Sequence, residues 1–508
     1  MELDVHKTTQ RVAWNTFASY MKIIISAMVA LFSVRYLIDA LGVDNYGIYS
    51  LIAGVITLLS FINSAMTVST QRYLSYYKGI DDINIQSKIF KNSLLLHVII
   101  GFVLVLLLLS ITPFLFGNAL NIEKSLINSS MYLYMGMVAS VFFTIISVPF
   151  NAILIANENL FIDSLIIITK SILMLVVSIG LSFFNEQDRM GVFGFGLMIL
   201  NALIFILYAL YASIKYEECT LRARLDFGLL KELASFAIWS LYTNICYVLN
   251  TQGVNILLNK YFGIKINAAY GIAFQINGQV KNLSQSLLSA INPQIMKSEG
   301  MCNRDRTLKV SIIATKMGFF LVAIVSIPCF FVMHDLIKLW LGIVPDYVVI
   351  FCLCFLTTTL INQLTVGITP AIQAIGKIKR FQMIIGTTAL FLLPVAYFCL
   401  LNGLSIYSIL LLIVFIEAIT GLLKIKIYTD VFDVSFLWYS KEIILKLLFS
   451  FFLSVLFVCV FYYLANIKNF VFVIIFSFLI YIPNFYFLSL SYDEKEYISK
   501  LYSRMIRR

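Results

Sequence analysis

Long apolar windows alternate with short polar connections along nearly the whole chain. A helix that crosses a bilayer needs about 20 predominantly apolar residues. Fourteen windows meet this requirement, and the eighth of them is the weakest. The windows are 12–38, 46–70, 92–116, 129–155, 161–184, 191–214, 234–258, 267–295, 310–333, 346–372, 381–401, 404–424, 442–465 and 469–490. The pattern therefore predicts an all-α polytopic membrane protein with about 14 transmembrane helices.

Composition agrees with this prediction, since 61% of the 508 residues are hydrophobic, 12% are charged and the mean hydropathy is +0.93. A soluble domain cannot bury so much apolar surface. The connections are too short for a nucleotide-binding domain, and no G-x-x-x-x-G-K-[ST] phosphate loop occurs. No catalytic arrangement stands out, and the eight cysteines lack metal-ligand spacing. We therefore predict no enzyme, no cofactor and no metal site.

The positive charges indicate an orientation. If the N-terminus is cytoplasmic, 25 of the 37 lysine and arginine residues flank the cytoplasmic side, with Lys424 among them, and six flank the opposite side. Cytoplasmic loops of membrane proteins carry such an excess. We therefore predict that both termini are cytoplasmic, and that the net charge of +11 reflects topology rather than nucleic-acid binding.

Weak repeats divide the chain into two halves. Tyr46-Gly47-Ile48 recurs as Tyr270-Gly271-Ile272, and Pro149 recurs as Pro370 in the same order. Six windows separate equivalent positions, which predicts two pseudo-symmetric six-helix lobes of the same orientation. The predicted domains are an N-terminal lobe (1–215), a C-terminal lobe with an amphipathic linker at its start (216–430), and two further helices with a basic cytoplasmic tail (431–508).

The first, second, seventh and eighth windows carry polar residues along one face. At about 100° per residue, the amides of the eighth window share one arc and its apolar residues share another. Two interpretations remain open, because such stripes either line a polar cavity or form the hydrogen bonds that hold a bundle together. The amides on these faces include Asn244 and Asn255 of the seventh window and Gln275, Gln279 and Gln285 of the eighth.

Three lysines, Lys22, Lys170 and Lys281, lie deep within their windows. A cation at that depth is costly and is a functional-site candidate. Asp163 lies seven residues from Lys170 on the same face, so Lys170 is either a ligand or a partner of Asp163. Lys22 and Lys281 have no evident acid nearby. We therefore predict that a phosphate-bearing or otherwise acidic cargo supplies the missing negative charge.

The acids within the windows are few, and Asp39, Asp163 and Glu417 are the candidates for coupling to an ion gradient. Glu417 has an alternative interpretation as an acid at the end of a helix beside Lys424. None of the three belongs to a recognisable ion-coupling motif, so their role rests on their position alone.

Three segments resemble one protein family: "LGVDNYGIYSL" (41–51), "AAYGIAFQINGQVKNLSQSLLSAINPQI" (268–295) and "TPAIQAIGKIKRF" (369–381). Over essentially its whole length the chain is similar to the Wzx-like polysaccharide flippases of the multidrug/oligosaccharidyl-lipid/polysaccharide (MOP) exporter superfamily. The resemblance implies a MATE-like V of two six-helix lobes plus two C-terminal helices, which alternates between inward and outward openings.

The resemblance also implies a bacterial cytoplasmic (inner) membrane protein that moves undecaprenyl-diphosphate-linked oligosaccharides. These are precursors of the O-antigen of lipopolysaccharide, of capsule or of exopolysaccharide. Lys22 and Lys281, and less directly Lys170, would engage the diphosphate, and the amides would face sugar hydroxyls. The expected partners are the lipid-linked oligosaccharide, membrane lipids and the polysaccharide polymerase machinery.

Other functions remain as alternatives. A cation-coupled multidrug or small-molecule exporter of the same superfamily would place acids deep in its lobes, whereas the polar windows here carry lysines. A peptidoglycan lipid-precursor flippase is a close relative that the sequence separates poorly. A membrane-embedded polymerase or ligase would need a large external loop, which the short connections do not supply.

Overall fold

The computed structural model describes residues 2–57, 60–119, 123, 126–464 and 469–496, and all regular secondary structure in these ranges is helical. The helices are α1 Glu2–Leu41, α2 Val43–Thr57, α3 Ser60–Ile80, α4 Ile83–Phe114, α5 Ile127–Ala156, α6 Leu160–Gly180, α7 Arg189–Lys215, α8 Phe227–Phe262, α9 Ile264–Gly300, α10 Arg304–Leu341, α11 Val348–Gln363, α12 Ile368–Ile375, α13 Lys379–Leu390, α14 Leu392–Leu401, α15 Ile406–Phe432, α16 Phe436–Tyr439, α17 Lys446–Leu464 and α18 Phe470–Asn484. The predicted all-α fold is confirmed.

Within the described residues, ten helical segments are long and apolar enough to cross a membrane, and the pair α11–α12, bent by 44°, makes an eleventh. The three remaining predicted windows lie on α2–α3, α8 and α9. Helices α8 and α9 are long enough to cross a membrane, with 36 and 37 residues, whereas α2 has only 15. Polar side chains lower the hydropathy of α3, α8 and α9, on which the sequence predicts polar faces.

The first compact unit consists of Met1–Leu241 and Met296–Cys302. Within it α5 packs against α3, α4 and α7, and α1 packs along α6. The backbones of α5 and α7 meet at Gly136 and Gly194, where a Cβ on either glycine would collide with the other helix. Small residues permit this close approach between membrane helices. This crossing fixes the position of α7. Further along α7, the Tyr208 hydroxyl reaches the Asp163 carboxylate that is described below.

The second compact unit consists of Tyr242–Ile295 and Asn303–Arg508. In this unit α11 packs between α10 and α15, while α15 also contacts α12, α13 and α14. The last two long helices, α17 and α18, pack against each other and against α10. Lys316 on α10 forms a 2.7 Å ion pair with Glu494, which follows α18. The two C-terminal helices are therefore built into this unit.

The predicted amphipathic linker begins without a helix. Residues 216–226 form turns and irregular backbone, and α8 starts at Phe227. The Asp226 carboxylate accepts hydrogen bonds from the backbone N–H groups of Gly228 at 3.0 Å and Leu229 at 3.2 Å. These bonds satisfy donors of the first helical turn. The amphipathic pattern thus covers an irregular connection and the first turns of α8.

Candidate functional site

One face of α9 is open and the opposite face is packed. Hydrocarbon offers no hydrogen bonds, so an exposed row of amides around an ammonium group in a membrane helix requires water or a polar ligand. The exposed polar residues are Gln275, Gln279, Lys281, Asn282 and Gln285. The buried apolar residues are Ala273, Val280, Leu288, Ala290 and Ile291.

Other polar residues of α9 hold the bundle together. The Ser284 hydroxyl donates to Gln363 Oε1 at 2.6 Å, and the Thr359 hydroxyl donates to Asn277 Oδ1 at 2.7 Å. All four side chains are buried. Hydrogen bonds between helices are thus made by buried polar residues of α9, while the cavity interpretation of the exposed ones stays a prediction. Buried Asn277 and Ser284 fix α9 to α11, whereas Lys281 and the amides stay exposed, with Asn282 donating a 3.5 Å hydrogen bond to Gln279 Oε1.

Lys281 shares its surroundings with Glu417 and Lys424, which both lie on α15. Each ammonium group interacts electrostatically with the Glu417 carboxylate, and the two lysines repel each other. Asn362 on α11 donates a 2.7 Å hydrogen bond to Glu417 Oε1. Neither lysine forms an ion pair or a hydrogen bond with any other described residue. The expectation that Lys281 has no acid nearby is therefore wrong, but this single acid serves two lysines.

The position of Lys424 also corrects the sequence interpretation, which placed it at the cytoplasmic flank. Because α15 continues to Phe432, Lys424 lies inside the helix and is only 5% exposed. Glu417 lies near the middle of α15, so its interpretation as a helix-end acid is wrong. The available signal was the spacing of Glu417, Gly421 and Lys424 at i, i+4 and i+7, which places all three on one face.

The two α8 amides predicted to contact a cargo, Asn244 and Asn255, are half-buried. The Oδ1 atom of Asn255 is buried and accepts no hydrogen bond within the described part of the chain. Between these two residues, Asn250 donates to the backbone carbonyl of Ala389 at the end of α13. Asn250 therefore binds a neighbouring helix, whereas Asn255 has an unused acceptor.

In the first unit the buried carboxylate of Asp163 is fully bonded. Lys22 Nζ lies 3.1 Å from Oδ2, while Asn151 Nδ2 and the Tyr208 hydroxyl donate to Oδ1 at 2.6 and 2.7 Å. The packing of α1 along α6 brings Lys22 and Asp163 together across 141 positions. The expectation that Lys22 lacks an acid is therefore wrong. Asp163 pairs with Lys22 rather than with Lys170.

The remaining predicted residues, Lys170 and Asp39, lie outside the groups of charged residues around Glu417 and Asp163. Lys170 on α6 is half-buried, and no described residue forms an ion pair or hydrogen bond with it. Asp39 is exposed near the end of α1. Their proposed roles stay predictions. Within the described ranges, no group of three or more histidine, cysteine, aspartate or glutamate residues can hold a metal ion.

No protein-family model matches the chain, and no curated protein matches it. Solved structures do match. One is a MOP superfamily transporter from Pyrococcus furiosus Vc1, described as having a binding pocket of reverse polarity that suggests a different function. Another is a multidrug resistance MATE family transporter of the MOP superfamily in an outward-facing conformation. Each has a TM-score of 0.71 and 14% identity, with 86% of this chain and 96% of the other covered.

A third match, a MATE in the bent conformation, has a TM-score of 0.70 and 14% identity, and the alignment covers 86% of this chain and 95% of that chain. At such identities the likeness shows the fold alone. The chain therefore has the fold of the MATE-type transporters of the MOP superfamily, which confirms the coarser part of the resemblance found in the sequence.

Proposed function

We propose that the chain is a flippase that moves undecaprenyl-diphosphate-linked oligosaccharides across the bacterial cytoplasmic membrane by alternating access. Such a cargo would feed the assembly of O-antigen, capsule or exopolysaccharide. One observation carries the proposal: Lys281 stands exposed in a row of amides on a long helix of a transporter fold, without an ion-pair partner among the described residues. A diphosphate supplies the missing anion, and amides suit sugar hydroxyls.

A multidrug or other cation exporter is the second candidate, because a multidrug resistance transporter shares the fold. A cationic cargo needs an acid that is available to bind it. Asp163 already accepts bonds from three groups, and Glu417 faces two lysines. The charges thus favour an anionic cargo. A peptidoglycan lipid precursor presents the same lipid diphosphate, so charge does not separate it from the lead proposal.

The proposal is tested by measuring flipping in proteoliposomes that contain the full chain and a fluorescent undecaprenyl-diphosphate oligosaccharide. We expect Lys281→Met to lower the rate at least about tenfold, because the mutation removes the charge that binds the diphosphate. Lys265→Met is the matched control, since it removes an exposed lysine from the start of the same helix. Its rate should remain near that of the wild type.

Two results would contradict the proposal: equal rates for both variants, or equal transport of the diphosphate-linked cargo and a neutral undecaprenol-linked analogue. Preference for a peptidoglycan lipid precursor over the oligosaccharide cargo would favour that alternative instead.

A further inference from the structure

The charges around Glu417 do not balance. Lys281 and Lys424 bring two ammonium groups toward one carboxylate, which leaves an excess of one positive charge. Only Oε1 of that carboxylate accepts a hydrogen bond from the described residues, and Asn362 donates it. Charges within a membrane protein are costly unless they are paired. The second unit therefore has a cluster that lacks one negative charge.

Independent contacts place these groups at one level of the helix bundle. The bonds Asn277–Thr359 and Ser284–Gln363 clamp α9 to α11, and Lys281 lies between the two clamped positions. Asn362, the neighbour of Gln363, binds Glu417 on α15. Helix α11 is therefore a common support that holds the α9 lysine and the α15 acid near the same depth.

The face of α15 that carries Glu417 and Lys424 also contains a glycine. Gly421 lies between Glu417 and Lys424 on the same face, and a Cβ added there would come no closer than 3.8 Å to its nearest neighbour, Thr365. That distance is an ordinary van der Waals contact, and Gly421 is itself buried. Gly421 therefore places no side chain between Glu417 and Lys424 on this face.

We propose that Glu417 is a built-in counter-ion that competes with the anionic group of the cargo for Lys281 and Lys424. In the empty state Glu417 neutralises one of the two lysines. A bound diphosphate pairs with both lysines in place of Glu417. When Glu417 interacts with the lysines again, it promotes release of the diphosphate. Lys424 is then a second cargo-binding residue, although it lies away from the exposed row. This inference rests on the proposed anionic cargo and adds how that cargo is selected and released.

The test measures binding of farnesyl diphosphate, with farnesol as the uncharged comparison, to the full chain in lipid nanodiscs. Glu417→Gln should bind farnesyl diphosphate roughly tenfold more tightly and release it more slowly, because the competing charge is gone. Lys424→Met should weaken binding about tenfold. Lys426→Met is the matched control, because this exposed lysine lies two residues further along α15 on another face. Its affinity should stay within about twofold of the wild type.

Unchanged or weaker binding by Glu417→Gln, alongside wild-type preference for the diphosphate over farnesol, would overturn the counter-ion role and leave the proposed function standing. If the wild type shows no such preference, the proposed function itself fails. Lys424→Met and Lys426→Met leave the Glu417–Asn362 bond intact, so they test the inference independently of Glu417→Gln. Equal affinities for Lys424→Met and Lys426→Met would also overturn the inference, whether or not Glu417→Gln folds.

Discussion

The two compact units treat a membrane-embedded acid in different ways. In the first, Asp163 has one lysine partner and two neutral donors, so both of its oxygens are bonded. In the second, Glu417 has one neutral donor, Asn362, and two lysines that it does not contact directly. The first arrangement is complete within the protein. The second has more positive charge than its acid neutralises.

This difference separates a structural role from a functional one. A buried ion pair with all of its hydrogen bonds made fixes helices in place, and removal of one partner strands the other charge. A cluster with unmatched charge costs stability unless a ligand completes it, which makes it a functional-site candidate. Lys22 and Lys281 look alike in the sequence, yet only Lys281 stands in a cluster that still needs an anion.

The largest stability effect is expected at Lys22. Lys22→Met leaves the Asp163 carboxylate buried without its cation, and we expect a loss of roughly 3 kcal/mol in the free energy of unfolding. The double variant Lys22→Met/Asp163→Asn removes both charges and should recover most of that loss. Denaturant unfolding of the purified protein in detergent measures both values.

Lys281→Met is the comparison for this experiment, since its ammonium group has no ion-pair partner to strand. It should leave the unfolding free energy within about 1 kcal/mol of the wild type. A loss as large as that of Lys22→Met would show that the two clusters are structurally equivalent, against the distinction drawn between them.

A smaller effect is expected from two tyrosines that lie near the two acids. Tyr208 donates a 2.7 Å hydrogen bond to Asp163, whereas the Tyr247 hydroxyl, which lies near Glu417, forms no hydrogen bond with any described residue. Hydrogen bonds to charged groups contribute about 1.5–3 kcal/mol. Tyr208→Phe should therefore destabilise the protein by roughly 2 kcal/mol.

Tyr247→Phe makes the same chemical change beside the other acid and should cost less than about 0.5 kcal/mol. Thermal unfolding of the two variants gives the comparison directly. Equal losses would mean that Glu417 is held as firmly as Asp163, and they would remove the contrast between a complete and an incomplete cluster.

The helical fold could be predicted from the sequence because an apolar window of bilayer length is what a membrane-spanning helix requires. The open face of α9 was also predictable, since Gln275, Gln279 and Lys281 recur on one side of a helix. The same period places Ser284 beside the buried Val280 and Ile291, but its hydrogen-bond partner, Gln363 on another helix, was not predictable. A helical period assigns faces, whereas burial depends on what packs against each face.

The charge partners were the least predictable part of the site. Lys22 and Asp163 are 141 positions apart, and only the packing of α1 along α6 makes them neighbours. The apolar window ends at Lys424, which predicts a position at the cytoplasmic flank, whereas α15 continues beyond it to Phe432. Hydropathy marks where a segment stops being apolar, which differs from where its helix stops.

The most direct test compares Lys22→Met/Asp163→Asn with Lys281→Met in the proteoliposome assay with the undecaprenyl-diphosphate oligosaccharide. If the Asp163 cluster is structural and the Lys281 face binds the anion, the neutralised double variant should keep at least about half of the wild-type flipping rate, while Lys281→Met should fall about tenfold or more. The reverse order, with an inactive double variant and an active Lys281→Met, would contradict the central claim.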